Sequence, residues 1–88
     1  MMRLRVEEIG RGLHPSEVVV AVKTAGGARE RLVVSRRSIE QGAILVGRGF
    51  GEKGGAVLIE LPRETQTGAW RVWVPKDQLF PAEERMRA

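Results

Sequence analysis

Cysteine and tyrosine are absent from this chain of 88 residues, histidine and aspartate occur once each (His14, Asp77), and the remaining aromatics are two tryptophans and two phenylalanines. Without cysteine there are no disulfides and no thiolate chemistry, which fits a reducing compartment, so the cytoplasm is the expected location. One histidine and no cysteine do not supply the clustered ligands of a zinc site, and neither a metal nor another cofactor is expected. The longest apolar run, Val18 to Val22, is too short to span a bilayer. The opening Met1-Met2-Arg3-Leu4-Arg5 is basic, but Val6-Glu7-Glu8 follows where a signal peptide has its apolar core, so neither export nor a membrane is expected. Catalytic groups are equally sparse. Ser16, Ser35 and Ser38 fall in expected turns with no base and orienting carboxylate at a useful spacing, and Glu7 and Glu8 point to opposite faces of a strand. The chain is therefore not expected to be an enzyme.

What the chain does have is glycine, valine and arginine. Its size sets one domain, expected over residues 1–80 with a frayed tail over 81–88, and a modest core with no deep cleft. Fifteen basic side chains against eleven acidic ones leave a formal charge of +4, and twelve of the fifteen are arginine. Arginine presents a planar fork to phosphate and carboxylate, so the balance permits nucleic-acid binding by charge. The acids are interspersed along the chain, so this charge argues for nucleic acid only where the arginines cluster on one face.

The periodicity is that of strands. Met2, Leu4 and Val6 alternate with Arg3, Arg5 and Glu7, and Gly10-Arg11-Gly12 is expected to break that strand. The valine-rich segments Ser16 to Thr24 and Arg29 to Ser35 flank Ala25-Gly26-Gly27-Ala28, a hairpin turn. A loop centred on Gly26-Gly27 sets Lys23 opposite Glu30, Ala21 opposite Leu32 and Val19 opposite Val34. The segment from Ser35 to Gly42 reads as one or two helical turns between an N-capping serine and a C-capping glycine. Ala43 to Val46 and Ala56 to Leu61 read as core strands, Arg63 to Gly68 as a turn, and Ala69 to Val74 as the last strong strand, ended by Pro75.

Between two of these strands lies Gly47-Arg48-Gly49-Phe50-Gly51-Glu52-Lys53-Gly54-Gly55, five of whose nine residues are glycine. Residues 49–54 spell G-x-G-x-x-G, but a strand follows, whereas a dinucleotide site needs a helix whose amides meet the pyrophosphate. Arg48-Gly49-Phe50-Gly51 also resembles the start of the RNA-recognition-motif signature. The match stops at Glu52, where a base-stacking aromatic belongs, and no segment supplies that family's amphipathic helices. The reading adopted is a long flexible hairpin connection formed by Arg48, Gly49, Phe50, Gly51 and Lys53 among others, with Arg48 and Lys53 in water and Phe50 capping the core.

In the last strand Trp70, Val72 and Val74 share one side, read as core, while Ala69, Arg71 and Trp73 share the other, which Arg71 marks as facing solvent; there Trp73 either offers its ring to a base or a partner or packs under a loop or the C-terminal tail. Trp70-Arg71-Val72-Trp73-Val74-Pro75-Lys76-Asp77-Gln78-Leu79-Phe80 resembles the end of SH3-like barrels, in which a strong strand meets a short helical turn and a brief closing strand. The resemblance covers eleven residues. It implies an all-β fold, a small SH3-like barrel of five to six strands with one short helical turn, serving peptide or nucleic-acid binding. With so few aromatics, the groove for proline-rich peptides is mostly missing. The expected function is thus a non-catalytic module that binds RNA or single-stranded DNA through Arg71 and Trp73, with Arg29, Arg31, Arg36 and Arg37 nearby. The competing expectation is a protein-interaction or self-assembly module that uses the same tryptophan and an exposed sheet edge to hold another protein or a second copy.

Overall fold

The structure is a computed structural model that describes residues 2–81, apart from the side chains of residues 48–50. Its strands are β1 (Met2–Arg5), β2 (Glu7–Arg11), β3 (Glu17–Lys23), β4 (Arg29–Ser35), β5 (Ala43–Lys53), β6 (Ala56–Glu60), β7 (Arg71–Pro75) and β8 (Leu79–Pro81). Two single 3₁₀ turns, Arg36–Ser38 and Lys76–Gln78, are the only helical pieces among the described residues. The protein is all-β, as its alternating segments imply. One antiparallel sheet has the order β7-β6-β5-β1-β8 and the other β2-β3-β4. Apart from Pro81, which closes β8, the expected frayed tail lies outside the described residues.

The larger sheet has to curl. Its edge strands β7 and β8 are joined by only three residues, Lys76–Gln78. In a flat sheet of five strands the edges stand four spacings apart, about 19 Å. The four Cα steps from Pro75 to Leu79 reach at most about 14 Å, and less through a 3₁₀ turn. The sheet is accordingly a curled half-barrel. Its bend lies in β5, whose first residues pair with β1 (Leu45 with Arg3, Ala43 with Arg5) and whose end pairs with β6 (Gly51 with Leu58, Lys53 with Ala56). Between Gly47 and Gly51 the register shifts, and such an irregularity bends a strand and sharpens its twist.

Several local expectations are corrected. The first strand is divided at Val6, where the chain leaves one sheet for the other and the Val6 amide donates to Gly42 O at 2.9 Å. Gly10 and Arg11 do not break the second part. They pair with Val19 and Val18, with Ile9 bulged out beside Gly10. This division and the brief β8 account for eight strands where five to six were expected.

The β3–β4 hairpin is one residue out of the expected register. Val22 faces Glu30, Val20 faces Leu32, Val18 faces Val34, and Lys23 faces Arg29. The cause is an odd loop. Gly27 N donates to Thr24 O at 3.1 Å and Thr24 N to Ala28 O at 3.0 Å, with Gly27 at φ 94°, so the five residues 24–28 lie outside the ladder. A tight turn followed by a left-handed glycine adds one residue to an even loop, and that changes every cross-strand partner.

The segment after Ser35 is shorter than expected. The Ser35 hydroxyl does cap it, accepting from Arg37 N at 3.3 Å, but the turn ends at Ile39. Gly42 is no C-cap: with Gln41 it forms the tight turn that pairs Glu40 with Ala43. The glycine-rich stretch is likewise no long connection. Its backbone continues β5 as far as Lys53, and only Gly54 and Gly55 turn, at φ 55° and 83°. Two successive positive φ angles make the two-residue turn whose twist suits a hairpin.

The core is aliphatic. Val18, Val20 and Val22 of β3, with Leu32 and Val34 of β4, close over Leu4, Ile44, Val46, Ile59, Val72 and Val74. No aromatic side chain is buried among the described residues. Trp70, expected in the core, is 51% exposed, because β7 begins only at Arg71 and the alternation does not extend back to it.

Candidate nucleic-acid interface

In β7 the valines Val72 and Val74 are buried, which turns Arg71 and Trp73 outward. Trp73 stands opposite Leu58 on β6, and Leu58 stands opposite Gly51 on β5. A Cβ built on Gly51 would lie 3.6 Å from Trp73 Cη2, so the indole reaches over β6 and rests against the bare backbone of β5. Support on the sheet holds the ring in place while 39% of the residue remains exposed. Alternation puts Lys53 on this face as well, at the exposed end of β5. Arg71 is the cross-strand neighbour of Glu60.

A second set of cations comes up to the same edge. The Ala25 amide, at the tip of the β3–β4 hairpin, donates to Trp73 O at 2.8 Å and so fixes the tip against the outer edge of β7. Just behind the tip Lys23 and Arg29 are directly opposite one another, and Arg31 follows opposite Ala21. Val22, Val20 and Leu32 face the core, so these three cations occupy the outer face. Like charges placed directly opposite repel. Glu7 relieves part of this, its Oε1 accepting from Arg29 Nη1 at 2.5 Å. Glu30, the expected partner of Lys23, instead accepts from Thr67 Oγ1 at 2.8 Å.

The six expected binding residues therefore divide. Arg71 and Trp73 share a face, and Arg29 and Arg31 come beside them through the hairpin tip. Arg36 and Arg37 do not join them, because they sit in the 3₁₀ turn at the opposite end of β4, a seven-residue strand about 20 Å long. Arg36 is also engaged with Glu8, Nη1 to Oε2 at 3.0 Å. Of the expected loop residues, Gly51 lies beneath Trp73 and Lys53 is exposed. The expectations that Arg48 is solvated and Phe50 caps the core concern side chains outside the described ones, as does that of Gly49.

Sequence reasoning missed Lys23 as a member of the basic face, since the even-loop register gave it an acidic partner. It also missed Thr65, a buried polar residue that organises the turn after β6. Thr65 N donates to Ala69 O at 2.8 Å, its Oγ1 accepts from Ala69 N at 3.0 Å, and the adjacent Gln66 N donates to Arg31 O at 2.8 Å. That turn thereby covers part of the free edge of β4, behind the basic face. A Thr-x-Thr-Gly sequence after a strand was the available signal, because short hydroxyl side chains bond readily to nearby backbone.

Among the described residues no group of three or more His, Cys, Asp or Glu side chains is placed to hold a metal ion. No helix among them is long and apolar enough to cross a membrane. Compared with known proteins, the chain matches no family model, no curated protein and no solved structure.

Proposed function

We propose that this chain is a small SH3-like barrel acting in the cytoplasm as a non-catalytic module that binds single-stranded RNA or DNA. The support for the barrel class is the chain's ending: a strong strand β7, a 3₁₀ turn, and a brief strand β8 that returns to the far side of a curled sheet. The observation that carries the binding reading is Lys23 facing Arg29 across a hairpin whose tip is bonded to the backbone of the half-exposed Trp73. On the outer face of the hairpin Lys23, Arg29 and Arg31 outnumber Glu7, which favours a polyanion, and the supported indole beside them offers a stacking platform that every base fits.

With Lys23, Arg29, Arg31 and Arg71 each neutralising one phosphate, log K for a single strand falls with log salt at a slope of about −3. Fluorescence anisotropy with a labelled oligonucleotide across a salt series measures it. Trp73→Ala is expected to weaken binding by roughly 5- to 150-fold, the worth of one stacked base. Arg31→Ala flattens the slope by about 0.7, whereas Arg36→Ala leaves it unchanged. Absent binding at low ionic strength, or binding indifferent to salt, overturns the proposal.

A second reading, a protein-interaction module, draws on Trp70. Its exposed indole lines an open groove of about 420 Å³ with Leu32 and Val33. A mass that rises with concentration in light scattering and falls back in Trp70→Ser favours self-assembly.

A further inference from the structure

At the far end of β4 from the tryptophan face there is a second groove, of about 460 Å³. The bend in β5 creates it. β6 takes up pairing only from Gly47 onward, so the edge of Ala43–Val46 that faces away from β1 is left open. The 3₁₀ turn Arg36–Ser38 and the segment leaving β6 at Pro62 and Arg63 form its walls. The charged side chains that line it are Arg3, Arg37, Arg63 and Glu40.

Arg3 is the unusual member. Its side chain is only 7% exposed, its Nη2 donates to Glu40 Oε1 at 2.5 Å, and its buried Nε has no partner. A guanidinium has five N–H donors in a fixed fork, and one carboxylate oxygen does not saturate them. Arg37 is exposed, and its guanidinium makes no ion pair among the described residues. Arg63 is held loosely, its Nη1 4.0 Å from Glu17 Oε2. Three arginines against one glutamate leave the lining two charges positive, with the Glu17 carboxylate outside it, beyond Arg63.

We propose that this groove binds a phosphate monoester. Such a group carries close to two negative charges at neutral pH and three acceptor oxygens, which matches the excess charge of the lining and suits the planar forks of Arg37 and Arg63. A carboxylate or a phosphodiester, with a single charge, leaves half of that excess uncompensated. Arg3 anchors the site from below: it holds Glu40 and so keeps that carboxylate's charge from the incoming anion, and it adds its own positive field at low solvent exposure. The Ser38 hydroxyl, also in the lining, donates its one hydrogen to Ser35 O at 2.7 Å, which leaves the anion to the arginines.

The test is a titration of the full chain, ¹⁵N-labelled, with inorganic phosphate against sodium chloride at matched ionic strength. Saturable shifts are expected at the amides of Arg37, Ser38 and Arg63 and at the Arg3 Nε–H resonance. Arg37→Ala and Arg63→Ala should each weaken phosphate binding roughly tenfold or more, the usual loss of a charge-assisted hydrogen bond. Arg3→Gln is a supporting variant only, since it disturbs a buried pair, and the two exposed arginines decide the outcome. Shifts reproduced by chloride, or unaltered in the Arg37→Ala, Arg63→Ala double variant, overturn the site. A nucleoside 5′-monophosphate that binds more tightly than phosphate assigns the groove to a small molecule. Preference for a 5′-phosphorylated oligonucleotide over its 5′-hydroxyl form assigns it to a strand end. The site is independent of the tryptophan face, so Arg31→Ala and Trp73→Ala leave the phosphate titration unchanged whether or not that face binds nucleic acid.

Discussion

Arg3 and Glu40 form a pair whose two ends differ in exposure, 7% for the arginine side chain and 47% for the glutamate. That asymmetry decides what each substitution costs. Removing the glutamate leaves a buried guanidinium uncompensated, and Glu40→Gln is expected to destabilise the fold by about 3 kcal/mol in urea titration. Arg3→Met keeps most of the packing volume and leaves no buried charge behind, so it is expected to cost less than ~1 kcal/mol or to stabilise. Equal losses at both positions would mean that the pair acts through geometry and not through burial. The two tryptophans show how far one residue was legible. Alternation sets Trp73 on the side of Arg71 and leaves open whether it is exposed or packed under a loop or the C-terminal tail; 39% of it is exposed. Trp70 was assigned to the core by the same alternation, and the assignment failed because a period of two holds only inside the ladder, which starts one residue later.

At the scale of elements, hairpins were legible as hairpins but their registers were not. Apolar runs beside paired glycines locate β3, β4 and β6 with little error, because such runs have few other ways to bury themselves, whereas the expected Ala43 to Val46 is only the first part of β5. Whether a loop is odd or even depends on a single left-handed residue, and Gly26-Gly27 offers two candidates. The one-residue difference gives Lys23 an acidic partner on paper and so hides one member of the basic face. In the β5–β6 turn both glycines take positive φ angles, but they are not equivalent. At φ 55° Gly54 is in the region asparagine tolerates, so Gly54→Asn is expected to be neutral or mildly stabilising. Gly55, at φ 83°, lies beyond it, and Gly55→Ala is expected to cost ~1–2 kcal/mol in the same urea assay. If Gly55→Ala is silent, the turn opens into the longer connection that the glycine count first implied.

For the whole molecule, the closing of the sheet is the step that local sequence patterns did not contain, since it follows from which strands stand at the two edges. The described chain is a thin body, 37 × 35 × 17 Å, so its grooves are shallow and recognition falls to outer faces and seams. Two things hold the edges together: the three-residue connection after β7, and the pairing of β8 with β1, in which Leu79 faces Leu4, Phe80 faces Arg3 and Pro81 faces Met2. Arg5 adds a guanidinium 5.9 Å from the centre of the Phe80 ring. If pairing is the stronger of the two, inserting four glycine and serine residues after Gln78 costs only the entropy of a roughly doubled loop, less than ~1 kcal/mol. Phe80→Ala, which removes apolar burial and the cation–π contact while keeping the connection intact, is then expected to cost roughly 1–2 kcal/mol. Comparing the two by thermal and urea unfolding separates the cases. A large loss on insertion with little loss at Phe80 would make the short connection the clamp, with the curl imposed by the tether and the edge pairing its consequence.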